Sequence, residues 1–183
     1  MINLTTLETP RLWLKGFSPA DISYIFEHLP KADIKKLLGH RTEEDYLKEE
    51  YKYKNGYSSY NRSFKVFLLI DRATDKVIGR CGLHNWNMDD NRAEIGYVML
   101  EEEYKRKGLM HEAVCAIMHY GFHELKLHRI EAIVGINNVP SLRLMKKNHF
   151  MEEGTMRQHR LSSGVYEDDK LFSILREEYL SKV

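Results

Sequence analysis

The hydrophobic period of this chain changes repeatedly, and each change marks a predicted element. Leu12 and Leu14 alternate in a short strand over Arg11–Lys15. Ser18-Pro19-Ala20-Asp21 then supplies a hydroxyl cap, a first-turn proline and an acid at the positive end, predicting a helix to about Leu29. A second helix is predicted from Thr42, with Asp45 completing a capping box, to Asn55-Gly56. Between the two, Lys31–Arg41 reads as a mobile connector. Phe64–Asp71 and Lys76–His84 form a predicted hairpin around Arg72-Ala73-Thr74-Asp75. Four more alternating or apolar runs follow, Arg92–Leu100, Arg129–Asn137, Phe150–Arg160 and Tyr166–Leu175. Among them lie helical patterns over Gly108–Lys126 and Val139–Lys147. The long helix is apolar over more than half its circumference and is expected to pack on a sheet.

The stretch Asn91–Ala113 organises the rest. Ala93, Ile95, Tyr97 and Met99 hold a strand period; Lys105-Arg106-Lys107-Gly108 then turns directly into a helix N-terminus. The first amides of such a helix lack internal partners and sit at the positive end of its dipole. Flanking cations and a glycine that permits close backbone approach make this an anion site suited to a pyrophosphate. Charge pattern alone also fits a solvated turn. Neither GxxxxGK[ST] nor GxGxxG occurs.

The run Lys105-Arg106-Lys107-Gly108-Leu109-Met110 resembles the (Q/R)xxGx(G/A) signature of the GNAT superfamily of acyl-CoA-dependent N-acetyltransferases. Lys105 stands where that family usually has Gln or Arg, and Met110 where a small residue is commoner. TPRLWLKGF, VIGRCGLHN, AEIGYVM, HRIEAIVGINNVPSLRLMKKNHF, EEGTMR and YEDDKLFSIL extend the resemblance over nearly the whole chain, with the ribosomal-protein N-terminal acetyltransferase (RimJ/RimL-like) branch as the nearest match. The resemblance implies one α/β (α+β) domain over residues 1–183: a mixed, mostly antiparallel sheet flanked by helices, with a V-shaped cleft between the central strand and the following parallel one. It implies acetyl-CoA as cosubstrate, with its pyrophosphate at the amides of Lys105, Arg106, Lys107, Gly108, Leu109 and Met110. A bulge around Tyr97, Val98 and Met99 is expected to free backbone for the thioester carbonyl and the pantetheine arm, which Asn138 would also touch. The acceptor would enter between Lys31–Arg41 and the Ser162–Tyr166 turn.

Acetyl transfer to an amine needs a neutral amine, donors to the carbonyl oxygen and a thiolate that can leave. An α-amine is about a tenth neutral at pH 7, a lysine amine roughly one part in a few thousand. Glu94 shares a strand face with Gly96 and is the candidate base, acting directly or through water; it reads equally as a structural acid paired with Arg92 or Arg129. Asn138 is also a helix cap ahead of Pro140. Many GNAT enzymes place a tyrosine acid where this chain has Met145, so Ser141 assists the leaving sulfur or the thiolate leaves unaided. His84 is either an acceptor-pocket residue or a packed or surface histidine. The tyrosines at 46, 51, 53, 57 and 60 line a groove or simply pack. His119 and His123 lie at i, i+4 on a polar helical stripe without HExxH, and no metal is expected.

At 183 residues and net charge +1, the composition offers no bulk field for nucleic acid or an anionic membrane. The expected partners are acetyl-CoA and an amine acceptor, a protein N-terminus or a small amine such as an amino acid, polyamine or antibiotic. A non-catalytic acyl-CoA-binding module is the rival from another class. Cys81 and Cys115 are expected as reduced, buried thiols. No signal-peptide or spanning pattern is seen, so the expected location is cytoplasmic, as monomer or homodimer.

Overall fold

The computed structural model describes residues 4–56 and 62–182. Its eight strands form one sheet in the order β1-β2-β3-β4-β5-β6-β8-β7, and every neighbouring pair is antiparallel except β5–β6. The strands are β1 (Thr5–Glu8), β2 (Leu12–Phe17), β3 (Arg62–Asp71), β4 (Val77–Asn87), β5 (Arg92–Met99), β6 (Arg129–Gly135), β7 (Met151–Ser162) and β8 (Val165–Leu175). Helices α1 (Pro19–His28), α2 (Lys31–Leu37) and α3 (Glu43–Asn55) follow β2; α4 (Leu109–His123), α5 (Val139–Lys147) and α6 (Arg176–Leu180) complete the chain.

The caps read from sequence form as expected. Ser18 and Asp21 make a reciprocal capping box on α1, and Thr42 and Asp45 do the same on α3. The predicted mobile connector is instead largely helix α2, because Pro30 starts a turn whose Ile34, with Leu38 just beyond, is buried. The edge strand β1 and the terminal α6 were not legible: each has five residues or fewer and little apolar periodicity.

Two cores lie on opposite sheet faces. On one, α4 lays Ala113, Val114, Ile117 and Phe122 against Leu12, Leu14, Phe67, Leu83 and Ile95. Each fully buried side chain of this size contributes about 1.5–3 kcal/mol relative to exposure. On the other, α1–α3 bring Ile22, Ile25, Ile34, Leu38 and Tyr46 to Phe17, Leu68 and Ile70. Tyr46 is buried and Tyr53 stacks on Phe26 (centroids 4.8 Å), so these two pack; Tyr51 is exposed, and Tyr57 and Tyr60 lie outside the described residues. Cys81 is buried, but Cys115 is exposed on α4, with its thiol 3.2 Å from Asn148 Oδ1. The polar stripe of α4 is wide enough there to leave one side open.

Candidate active site

Among the described residues the only parallel pairing is short. Arg92, Ala93 and Glu94 pair with Arg129, Ile130 and Glu131, and the ladder then stops while both strands continue. From Ile95 to Met99 the β6-facing edge of β5 therefore opens a V. The other edge stays regular, with Tyr97 opposite Cys81, Val98 opposite Arg80 and Met99 opposite Gly79. The bulge expected around Tyr97–Met99 is thus absent. The irregularity lies on β4, between His84 and Asn87, where Asn85 takes φ 48°. Divergence from β6, not a bulge, is what frees the β5 backbone.

At the top of the V the chain runs through Arg106 (φ 60°) and Gly108 (φ 78°) into α4. Left-handed residues flanking Lys107 curl the amides of this turn inward, an anion-binding concavity. Among the described residues the amides of Leu109, Met110 and His111 have no hydrogen-bond partner; the first internal bond of the helix is Glu112 N to Gly108 O, 3.1 Å. The cationic side chains are directed elsewhere, Lys105 to Glu102 and Lys107 over the Tyr104 ring. Met110 packs against the α4 core. Arg11 braces the turn from below, donating to the Lys107 carbonyl (3.0 Å) and gripping the Glu112 carboxylate (2.6 Å). Glu112, in the first turn of α4, thus ties the helix start to the residues just before β2. Unpartnered amides at the helix start and an unpaired strand edge below fit the diphosphate and the amide-rich arm of coenzyme A.

Asn138 caps α5, its Oδ1 accepting from Ser141 N at 3.2 Å. The cap uses the Ser141 amide and leaves its hydroxyl available. That hydroxyl faces Tyr97, whose own hydroxyl is buried and has no well-formed hydrogen bond. Burial pushes the Tyr97 phenol up, and Ser141 opposes the rise in part. Met145 is fully buried.

On the face toward α1–α3, Glu94 is mostly buried and receives Asn85 Nδ2 at 2.9 Å and His84 Nε2 at 3.3 Å. Neither Arg92 nor Arg129 is its partner; both bind Glu131. Burial raises the Glu94 carboxyl, but the His84 and Asn85 hydrogen bonds and the fields of His84 and His159 outweigh it, leaving it below the ordinary carboxylate range. His84 stands directly opposite Glu94 in the β4–β5 register, and the bulge that follows at Asn85 swings a second partner onto the same carboxylate. Gly96 leaves room for the His84 ring: a Cβ there would lie 2.6 Å from His84 Cε1.

Two residues across the V were missed from sequence. A bulge in β7 between Met156 and Arg160, with Gln158 at φ 51°, directs His159 Nδ1 onto the buried Asp169 carboxylate at 2.9 Å. Asp169 also accepts from Arg160 (3.2 Å). Sequence offers only a weak signal, a polar run that breaks the alternation of an otherwise regular strand.

Comparison with known proteins agrees with this geometry. A family model described as "Acetyltransferase (GNAT) domain" matches residues 11–151. "Uncharacterized N-acetyltransferase p20" of Bacillus licheniformis is 32% identical over 178 residues, 96% of this chain and 99% of that protein. The "Spermidine N(1)-acetyltransferase" of Vibrio cholerae is 28% identical over 114 residues, 62% of this chain and 65% of that protein. A crystal structure of a GNAT-family acetyltransferase from Bacillus anthracis superposes with TM-score 0.67 at 28% identity, covering 95% of this chain and 100% of that one. No helix among the described residues is long and apolar enough to cross a membrane. This chain belongs to the GNAT family as an N-acetyltransferase, a family that uses acetyl-CoA as cosubstrate.

Proposed function

We propose that the protein transfers the acetyl group of acetyl-CoA directly to the α-amine of a peptide or protein N-terminus in a ternary complex. The observation that carries this reading is the state of Glu94. A carboxylate held below its usual range is a poor acceptor for a proton from an amine of pKa near 10.4, but a good anchor for an ammonium group. It suits an acceptor that already sheds its proton near neutral pH, and an α-amine, with pKa near 8, does so. His84, in contact with Glu94, can pass the proton to solvent. The similarity of the sequence blocks to the ribosomal-protein branch supports the same acceptor.

The small-amine alternative is favoured by the spermidine-acetylating relative. A polyamine carries several cations, whereas the groups around Glu94 are His84, Asn85 and, more distantly, His159. That setting fits a single ammonium better.

As the amine nitrogen bonds to the carbonyl carbon, the carbon–sulfur bond breaks and the thiolate needs a proton or a hydrogen bond. Ser141 lies at the start of α5 with its hydroxyl unused by the cap, and Tyr97 stands behind it. In this reading the Ser141 hydroxyl donates a hydrogen bond to the departing sulfur, while Tyr97, buried behind it, keeps its proton.

The test is thiol release from acetyl-CoA with peptides, the same peptides blocked at the α-amine, spermidine and free amino acids. Turnover is expected on open peptides and none on blocked ones. Glu94→Gln should lower kcat/KM about 100-fold while coenzyme A binding by calorimetry holds. Turnover confined to spermidine or amino acids would overturn the peptide reading.

A further inference from the structure

A cavity of about 240 Å³ lies between α1–α3 and the acceptor face of the sheet. Phe17, Ile22, Leu38, Val66 and Leu68 are among its lining residues, and so is His84. The same His84 ring contacts Glu94 at 3.3 Å, so the cavity begins one side chain away from the carboxylate that would hold the amine. At roughly 30 Å³ per water its space equals about eight waters, below the ~300–1,000 Å³ of pockets that enclose whole ligands. It has room for one amino-acid side chain.

Its polar groups are few and not acidic on balance. Glu49 is accompanied by Lys52 and Arg80, and Arg80 is already committed to the Leu38 carbonyl at 3.0 Å. His40 also lines the cavity; both its ring nitrogens are buried without a hydrogen-bond partner. Burial, aided by Arg80, lowers its pKa, so it presents a neutral imidazole. Apolar walls, no surplus of carboxylates and a neutral ring offer little to a second ammonium group. They suit hydrocarbon.

We propose that this cavity receives the side chain carried by the carbon next to the reacting amine, and that the enzyme selects α-amines bearing a medium-sized apolar side chain, such as those of leucine, methionine or phenylalanine. The assignment rests on the α-amine reading above and adds the determinant of selectivity. Val66, half-buried on β3 opposite Gly82 and Phe17, lines the cavity, so its size changes the space available.

The experiment measures kcat/KM on peptides that differ only in their first residue: glycine, serine, lysine, leucine, methionine and phenylalanine. Leucine- or methionine-first peptides should exceed serine- or lysine-first ones by about 30-fold or more, within the range a hydrophobic pocket gives. Val66→Phe should cut the leucine-to-glycine ratio at least about tenfold. Val66→Ala should move the optimum toward phenylalanine, and it carries the test if the larger residue prevents folding. Calorimetry with coenzyme A checks that each variant is folded. Equal turnover across the panel, or an order unchanged by both Val66 variants, would overturn the cavity assignment while leaving the α-amine reading intact. Turnover of blocked peptides, or of spermidine alone, would overturn that reading and this one with it.

Discussion

The strands that build the centre of the sheet present different materials on their two faces. Toward α4, β4 and β5 offer Cys81, Leu83, Ala93 and Ile95, all nearly inaccessible and packed against Phe122, Ile117 and Val114. Toward α1–α3 the alternate positions of the same strands carry Arg80, His84, Glu94 and Gly96. Packing on the first face makes the sheet rigid. The second face spends that rigidity on holding a buried carboxylate between a histidine and an amide. In the middle of β4 and β5 the packed positions and the polar ones are thus a single residue step apart, since neighbouring side chains point to opposite faces.

A core change should therefore reach stability and spare chemistry. Phe122 is fully buried and stacks on Tyr179 at 4.8 Å. Phe122→Ala should cost about 3–5 kcal/mol in urea unfolding, with kcat/KM measured well below the melting transition staying within about twofold of wild type. A larger drop in rate would mean that the α4 face shapes the site more than this division allows.

Glycines on the two faces make a smaller and sharper contrast. At Gly96 a methyl group would lie 2.6 Å from His84 Cε1. The ring can swing aside, so Gly96→Ala should cost only about 1 kcal/mol, but the His84–Glu94 contact goes with it, and kcat/KM should fall about tenfold. Adding His84→Ala should restore the stability and not the rate. Gly121 on α4 would place its methyl 3.0–3.4 Å from the methyl ends of Ile130, Leu127 and Leu83. There the helix gains up to about 1 kcal/mol from replacing glycine, offset by crowding, so Gly121→Ala should be near neutral in both assays. Equal behaviour of the two variants would dissolve the contrast.

The same division explains what could be read from sequence. The shape of the loop at Arg106–Met110 was legible because it is made by contiguous backbone: a strand, a basic turn, a glycine and a helix start. Glu94 was legible by period, being out of phase with Ile95 and Tyr97. Its partners were not. His84 meets it through the β4–β5 register, which no local pattern shows, while Asn85 arrives through a bulge in β4 and His159 through one in β7, and a bulge is where the period of two fails. Helix α2 was hidden for another reason. Lys31–Leu37 is mostly charged, and its single buried residue, Ile34, gives no repeat to detect. The fold follows from many weak periodic signals that agree, whereas the site depends on a few long-range registers that leave no local mark.

Charge, unlike packing, can be titrated, and the base of the V offers the mildest test. Where β5 and β6 still pair, Arg129 lies between Glu131 (2.8 Å) and Glu153 (2.5 Å), and Ser173 donates to Glu153 at 2.6 Å. The Arg129 hydrogen bonds, with that of Ser173, hold the Glu153 carboxyl down at about 2, from an ordinary 4.5. A folded-state value below the unfolded one stabilises the protein fully above pH 4.5, and the contribution is lost as the pH falls through that range toward 2. Because Glu153 is about a third exposed, solvent screening limits the pair to about 1 kcal/mol. Glu153→Gln should therefore lower stability by about that amount at pH 7, and the gap from wild type should close as the pH drops from 4.5 toward 2. The Phe122→Ala penalty should hold across the same range, since no titratable group is removed. Urea midpoints of the three proteins against pH would show one converging pair and one parallel pair. Two parallel pairs would mean that the Arg129–Glu153 pair adds no titratable stability at the base of the V.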